Sequence, residues 1–176
     1  RNMINAKIKN ILLEDRNSIV TPIDNVSIVF AENSLLHAIM ILNNTTFTSI
    51  PVLNFDNTFI GLISTSQIFK FLGEKINQGF QVLEKYKIKD ALDTNFHAVD
   101  ENFDIEEVIR ALISHNFLCV VDKEYKLKGI IPRSNILKRF NFLVHEFDKN
   151  YILKPKNQKT YNESLISQNY KKILSL

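Results

Sequence analysis

Two stretches of this chain carry side chains suited to holding an anion. They are Ser64-Thr65-Ser66-Gln67 and Pro132-Arg133-Ser134-Asn135. Each lies where an apolar, strand-like run gives way to a helical pattern. A hydroxyl oxygen there caps the free N–H groups of a first helical turn whether or not anything binds. The same N–H groups, with the positive end of the helix dipole, also suit a phosphate. Arg133 adds a full charge in a planar fork that can grip a phosphate bidentately. Covalent and metal chemistry are not indicated. There is no nucleophile motif, no glycine-rich phosphate loop and no zinc-protease pattern. His37, His97, His115 and His145 have no metal-ligand spacing. Cys119, inside FLCVV, reads as a small buried hydrophobe. With four glycines in 176 residues, the usual dinucleotide-binding enzyme folds are excluded, and an enzyme is not expected.

The elements that must position these junctions occur twice. Ser34 and Asp104 stand at equivalent places as N-caps, Asp104 with Glu107 three residues on in a near capping box. Leu35, Ile39 and Leu42, and then Ile105, Ile109 and Leu112, form one apolar stripe per helix. Strand pairs follow at 50–53 with 59–64 and at 117–121 with 127–131. Asp56-Asn57 suits the first turn, and the second connection is expected to be two residues shorter. Gly61 and Gly129 sit at the same distance before closing helices predicted at 65–72 and 134–147. Short strands at 27–30 and 97–99 precede the first helices, and amphipathic segments at 11–20 and 86–92 precede those strands. The unit is helix–β–α–β–β–α, used twice, and such a repeat sets the architecture before any single motif does. The predicted organisation is one domain at 10–73, a polar linker at 74–85, a second domain at 86–147 and an extension at 148–176.

Bulk properties fit a globular chain: 45% hydrophobic and 23% charged residues. No run reaches the ~18–20 apolar residues of a membrane helix, and the N-terminus lacks a secretory signal core. Arg1 and Asn2 ahead of Met3 read as a processing remnant before the natural start. The single cysteine fits a reducing cytoplasm. From position 148 onward, six lysines against Asp148 and Glu163 leave +4, so the body carries −1 of the total +3. A near-neutral body argues against a nucleic-acid platform. In the extension, Leu165, Ile166, Tyr170, Ile173 and Leu174 fall at helical spacing, which predicts a short docking helix.

Thr48-Ser49-Ile50-Pro51-Val52 opening a strand, with Gly61-Leu62-Ile63-Ser64 in the next, resembles the CBS domain. The second copy reads Leu118-Cys119-Val120-Val121 and Gly129-Ile130-Ile131-Pro132. The resemblance implies an α/β (α+β) fold, a CBS-domain pair of two β-α-β-β-α repeats with pseudo-twofold symmetry, which commonly dimerises. Leu35-Leu36-His37-Ala38, Phe47 to Leu53, His115 to Val120 and Leu137 to Asn141 further resemble the small stand-alone cyclic-di-AMP-binding CBS proteins of low-GC Gram-positive bacteria.

That resemblance implies a nucleotide ligand rather than a cofactor, held in a cleft between the copies. Its residues would be Asn25, Val26, Ser27, Phe47, Thr48, Ser49, Ile50, Pro51, Ser64, Arg133 and Ser134. It also implies a protein partner such as a stringent-response synthetase/hydrolase or pyruvate carboxylase, and a homodimer built on the closing helices. The chain departs from that pattern at Asn25, where those proteins tend to carry a basic residue, and at Ser134, where they carry a second arginine. Fewer charges should lower affinity or change which nucleotide fits. Nucleoside-binding CBS domains often place an Asp where this chain has Gln67 and Asn135, and its absence favours a cyclic dinucleotide. Two alternatives stay open: a regulator binding AMP, ADP or ATP, and a ligand-free dimerisation or scaffold module.

Overall fold

The computed structural model describes residues 4–150 and residue 152. The chain divides into one compact unit ending at Asn141 and another beginning at Phe142. The candidate site lies in the first, as do both repeats apart from the end of the last helix. The helix predicted near the C-terminus lies outside the described residues.

In the first copy, β2 (Val29–Phe30) leads to α2 (Leu35–Leu42), then β3 (Ser49–Leu53), β4 (Phe59–Ser64) and α3 (Thr65–Leu72). In the second, β5 (Ala98–Asp100) leads to α5 (Ile105–Ala111), β6 (Phe117–Val121), β7 (Leu127–Pro132) and α6 (Arg133–Asn150). Each short strand runs parallel to the strand after its helix, β2 to β3 and β5 to β6, as a crossover helix requires. Local caps act as their residue types dictate. Ser34 accepts from His37 N, Ser64 from Gln67 N and Asp104 from Glu106 N, while Glu107 lies 3.7 Å from the His97 ring.

The two hairpin connections are equal in length, which corrects the expected shortening of the second. Residues 54–58 and 122–126 make the same turn bond, Asn57 N to Asn54 O at 2.9 Å in one and Tyr125 N to Asp122 O at 3.0 Å in the other. Asn57 and Tyr125 both adopt positive φ, 67° and 62°. Tyrosine gives no sequence signal for that conformation, whereas asparagine does.

The connection expected as a polar linker is folded. A 3-10 turn (Gly73–Gln78) and α4 (Val82–Lys85) bring Val82 and Leu83 into the first copy's core beside Leu35, Ile63 and Ile88. Ahead of the first copy, α1 (Ala6–Leu13) and a 3-10 turn (Arg16–Ser18) replace the single amphipathic segment expected at 11–20.

The copies exchange their leading segments. β1 (Thr21–Pro22) precedes the first copy yet pairs with β7 of the second, Thr21 opposite Ile130 and Pro22 opposite Gly129. Reciprocally, Asp93 precedes the second copy and bonds Leu62 of the first in both directions, at 3.0 and 2.9 Å. Pro22 is tolerated because β1 is an edge strand. A second core lies between the sheets, with Leu53 and Phe59 packed on Phe117, Cys119, Val121, Leu127 and Ile130. Burial there pushes the Cys119 thiol well above its ordinary range, consistent with an inert side chain.

The hairpin connections also zip the copies together. Phe59 N donates to Tyr125 O at 2.9 Å, and Lys126 Nζ lies 3.0 Å from Asp56 Oδ2. Hydrogen bonds from Thr58 and then Lys126 lower the Asp56 carboxyl to about 2. At the join with the 87–91 turn, hydrogen bonds from Lys87 and then Lys89 lower Glu32 to about 2. Both folded values lie below the ordinary 3.8 and 4.5. The contribution is therefore fully present above those ordinary values and lost as pH falls through about 2. Melting curves recorded down through that window should show the native chain losing more stability than the Glu32→Gln/Asp56→Asn double variant. Parallel losses would refute the assignment.

Candidate functional site

The first-copy junction forms a cleft of about 290 Å³ lined by Thr48, Ser49, Leu62, Ser64, Ser66, Gln67 and Asp93. Antiparallel pairing of β3 with β4 sets Ser49 opposite Ser64 and so brings the two polar ends together. Ser64 Oγ lies 3.0 Å from Ser66 Oγ and accepts from Gln67 N at 3.2 Å, so the first turn of α3 is organised by hydroxyls. Thr48, Ser49 and Ser64, predicted together from sequence, do meet here.

Asp93 was not among the predicted residues. It reaches the cleft through the exchanged segment, locked by its reciprocal backbone bonds to Leu62. Its Oδ1 accepts from Asn95 N at 2.9 Å. The turn-forming stretch Asp93-Thr94-Asn95 marked a bend but not a destination. So the cleft does carry a carboxylate, although not three residues after Ser64.

The other predicted residues divide by role. Ile50 and Pro51 are buried, and the Ile50 side chain belongs to the first copy's core, so only their backbone could face a ligand. Asn25 and Ser27 are exposed, and Val26 is half-buried against the inter-sheet core. β2 pairs with β3 only through Val29 and Phe30, so no ladder joins residues 25–27 to residues 49–51. Phe47 packs edge-on against Phe117, with ring centres 5.2 Å apart.

Arg133 lies apart from the hydroxyl cleft. It lines a groove of about 230 Å³ with Ile109, Leu112, Ile113, Ile136, Leu137 and Phe140. Its backbone N donates to Asn116 O, and its Nη2 to His115 O, each at 2.9 Å. Its Nε is shielded and has no hydrogen-bond partner. Ser134, exposed in the first turn of α6, follows it. The predicted set is therefore two polar patches, linked through Phe47, Phe117 and Asn116. Among the described residues no cluster of three or more His, Cys, Asp or Glu is placed to hold a metal ion, and no helix is long and apolar enough to cross a membrane.

Two copies of one β-α-β-β-α unit, exchanging leading segments around a shared core, define a tandem CBS pair. The CBS domain family model matches residues 17–74 and 88–141, and the chain belongs to that family. It is 29% identical over 126 residues to cyclic di-AMP receptor B of Bacillus subtilis, covering 72% of this chain and 86% of that protein. The crystal structure of CbpB from Listeria monocytogenes in complex with c-di-AMP superposes with a TM-score of 0.65 at 33% identity, covering 72% of this chain and 94% of that one. CbpB from Streptococcus agalactiae superposes with a TM-score of 0.78 over 89% of this chain and 98% of that one, and at 24% identity shows likeness of fold.

Proposed function

We propose that the chain is a non-catalytic cytoplasmic receptor that binds cyclic di-AMP in its CBS pair and conveys the bound state to a protein partner. The observation that carries this reading is the 33% identity, over 72% of the chain, to the Listeria protein crystallised with c-di-AMP. The chemistry of the patches agrees with it. Backbone at residues 25–27, and the side of β3 at 49–51 with which β2 does not pair, suits an adenine edge, with Val26 and Phe47 offering apolar cover. Ser64, Ser66 and the first turn of α3 suit phosphate or hydroxyl oxygens, and Asp93 suits a ribose hydroxyl donor. Arg133 and the N-terminus of α6 supply the positive charge that a phosphodiester requires.

Calorimetric titration with cyclic di-AMP, AMP and ATP tests the reading. Micromolar or tighter binding of cyclic di-AMP with weak AMP and ATP supports it, and silence across the panel refutes it. Arg133→Ala should weaken cyclic di-AMP by about 1.5–3 kcal/mol, the range for hydrogen bonds to charged groups. An unchanged affinity would remove Arg133 from the site. A homodimer belongs to the same proposal, since Phe69 on α3 and Ile113 and Leu137 beside the α5–α6 groove are exposed. Phe71, on the same helix as Phe69, packs against Tyr86 at 5.3 Å between ring centres. Light scattering that finds only a species of the chain's own 20.4 kDa would refute the dimer. A stringent-response synthetase/hydrolase or pyruvate carboxylase is the proposed kind of partner.

A further inference from the structure

A cleft of about 410 Å³ lies apart from the proposed nucleotide site. It lies on the second copy, where Arg16, Val20, Phe103, Val120 and Lys128 meet, with Glu101 on the rim. The repeat supplies an internal control for it. Thr21 opposite Ile130 matches Asp93 opposite Leu62, so Arg16 corresponds to Ile88, Val20 to Leu92 and Lys128 to Ile60. In the first copy this place is closed: Ile88 is fully buried, and Ile60 and Leu92 pack on the same core. There the backbone N of Ile88 donates directly to Asn33 O at 2.9 Å. In the second copy the equivalent carbonyl, Phe103 O, is reached by Arg16 Nη2 at 3.1 Å instead. A side chain's length separates the segments, and a cavity opens between them.

Its charged groups are Arg16, Lys128 and, on the rim, Glu101. The Arg16 guanidinium carbon stands 4.4 Å from the centre of the Phe103 ring, which fixes its plane. Its Nη2 is committed to Phe103 O, and its Nε is shielded from solvent without a hydrogen-bond partner, so the guanidinium is held in place at the cavity wall. Lys128 is only loosely held, 3.9 Å from Asp122. Two cations thus replace two isoleucines, beside Asn17 and apolar walls and against one exposed carboxylate, Glu101. The volume falls in the range of small-molecule sites.

We infer that this cavity binds a small organic anion, one phosphate or carboxylate head on an apolar or aromatic body. The head lies between Arg16 and Lys128, and the body lies against Phe103, Val20 and Val120. The site is separate from the nucleotide cleft and does not depend on that reading.

Phenyl phosphate is a suitable probe, titrated into the full ¹⁵N-labelled chain. Saturable shifts should centre on the amides of Asn17, Val20, Phe103 and Lys128. Arg16→Met and Lys128→Met, which keep the apolar stems, should each raise the Kd at least tenfold. Lys128 is exposed, so its variant tests the site even if the Arg16 variant folds poorly. Three outcomes would overturn the inference: no saturable shift, an affinity unchanged in the Lys128 variant, or inorganic phosphate binding as tightly as phenyl phosphate. Cyclic di-AMP titrated into the Lys128 variant should bind as it does to the native chain, which keeps failure here distinct from failure of the receptor assignment.

Discussion

Gly129→Ala should destabilise the fold by about 3 kcal/mol, the upper part of the range for forced overpacking. A Cβ at this position would sit 2.3 Å from the Thr21 carbonyl oxygen and 3.0 Å from Val20 Cγ1. The oxygen is backbone in β1, so it can retreat only by giving up the pairing of Thr21 with Ile130. Gly61 is the same device in the other copy, where an added Cβ would lie 2.4 Å from Asp93 O. Gly61→Ala should cost a similar amount and should also disturb the hydroxyl cleft, because Leu62 and Asp93 both line it. Gly79→Ala is the control. Nothing lies within 4 Å of its added Cβ, so the penalty is only the φ of +92°, about 1–3 kcal/mol by backbone strain alone. Urea titration of the three variants measures this. A Gly129→Ala chain within 1 kcal/mol of the native one would mean that the leading segment is not packed as described.

Phe59→Ala should be the most damaging single truncation, costing about 3–5 kcal/mol. The residue is 1% exposed and its ring lies 4.5 Å from that of Phe96, edge to face. It belongs to the first copy's strand but packs in a cluster whose buried members come mainly from the second copy. The physical consequence concerns cooperativity. With the core between the sheets held in common, the two copies should unfold in one transition, by tyrosine fluorescence and far-ultraviolet dichroism alike. Two separated midpoints in the native chain would contradict a shared core. A loss below 2 kcal/mol in the variant would place Phe59 in a site that collapses easily.

What the sequence by itself determined here was local. Ser34, Asp104 and Ser64 cap helices because a short side-chain oxygen reaches N–H groups two or three residues on, within one turn. The stripes of α2 and α5, the alternation in β4 and the repeat itself follow from periodicities that neighbouring residues express. Thr48, Ser49 and Ser64, grouped in advance by the family resemblance, lie together because the hairpin of β3 and β4 joins them.

Tertiary structure decided everything that depends on which edge lies open beside which segment. Thr21 pairs with the second copy, and Asp93 with the first, because each sheet leaves an edge that only the other copy's leading segment reaches. Nothing in the residues at 21 or 93 encodes that destination, and the glycines that permit it show only as a repeated spacing. The folding of residues 73–85 into the core likewise turns on Val82 and Leu83, two apolar side chains in a polar stretch whose burial requires the packed α2 and α3. Arg133 falls outside the hydroxyl cleft for the same reason. Equivalent positions in two repeats are related by the pseudo-symmetry, and they come together only where that symmetry folds one copy's edge onto the other.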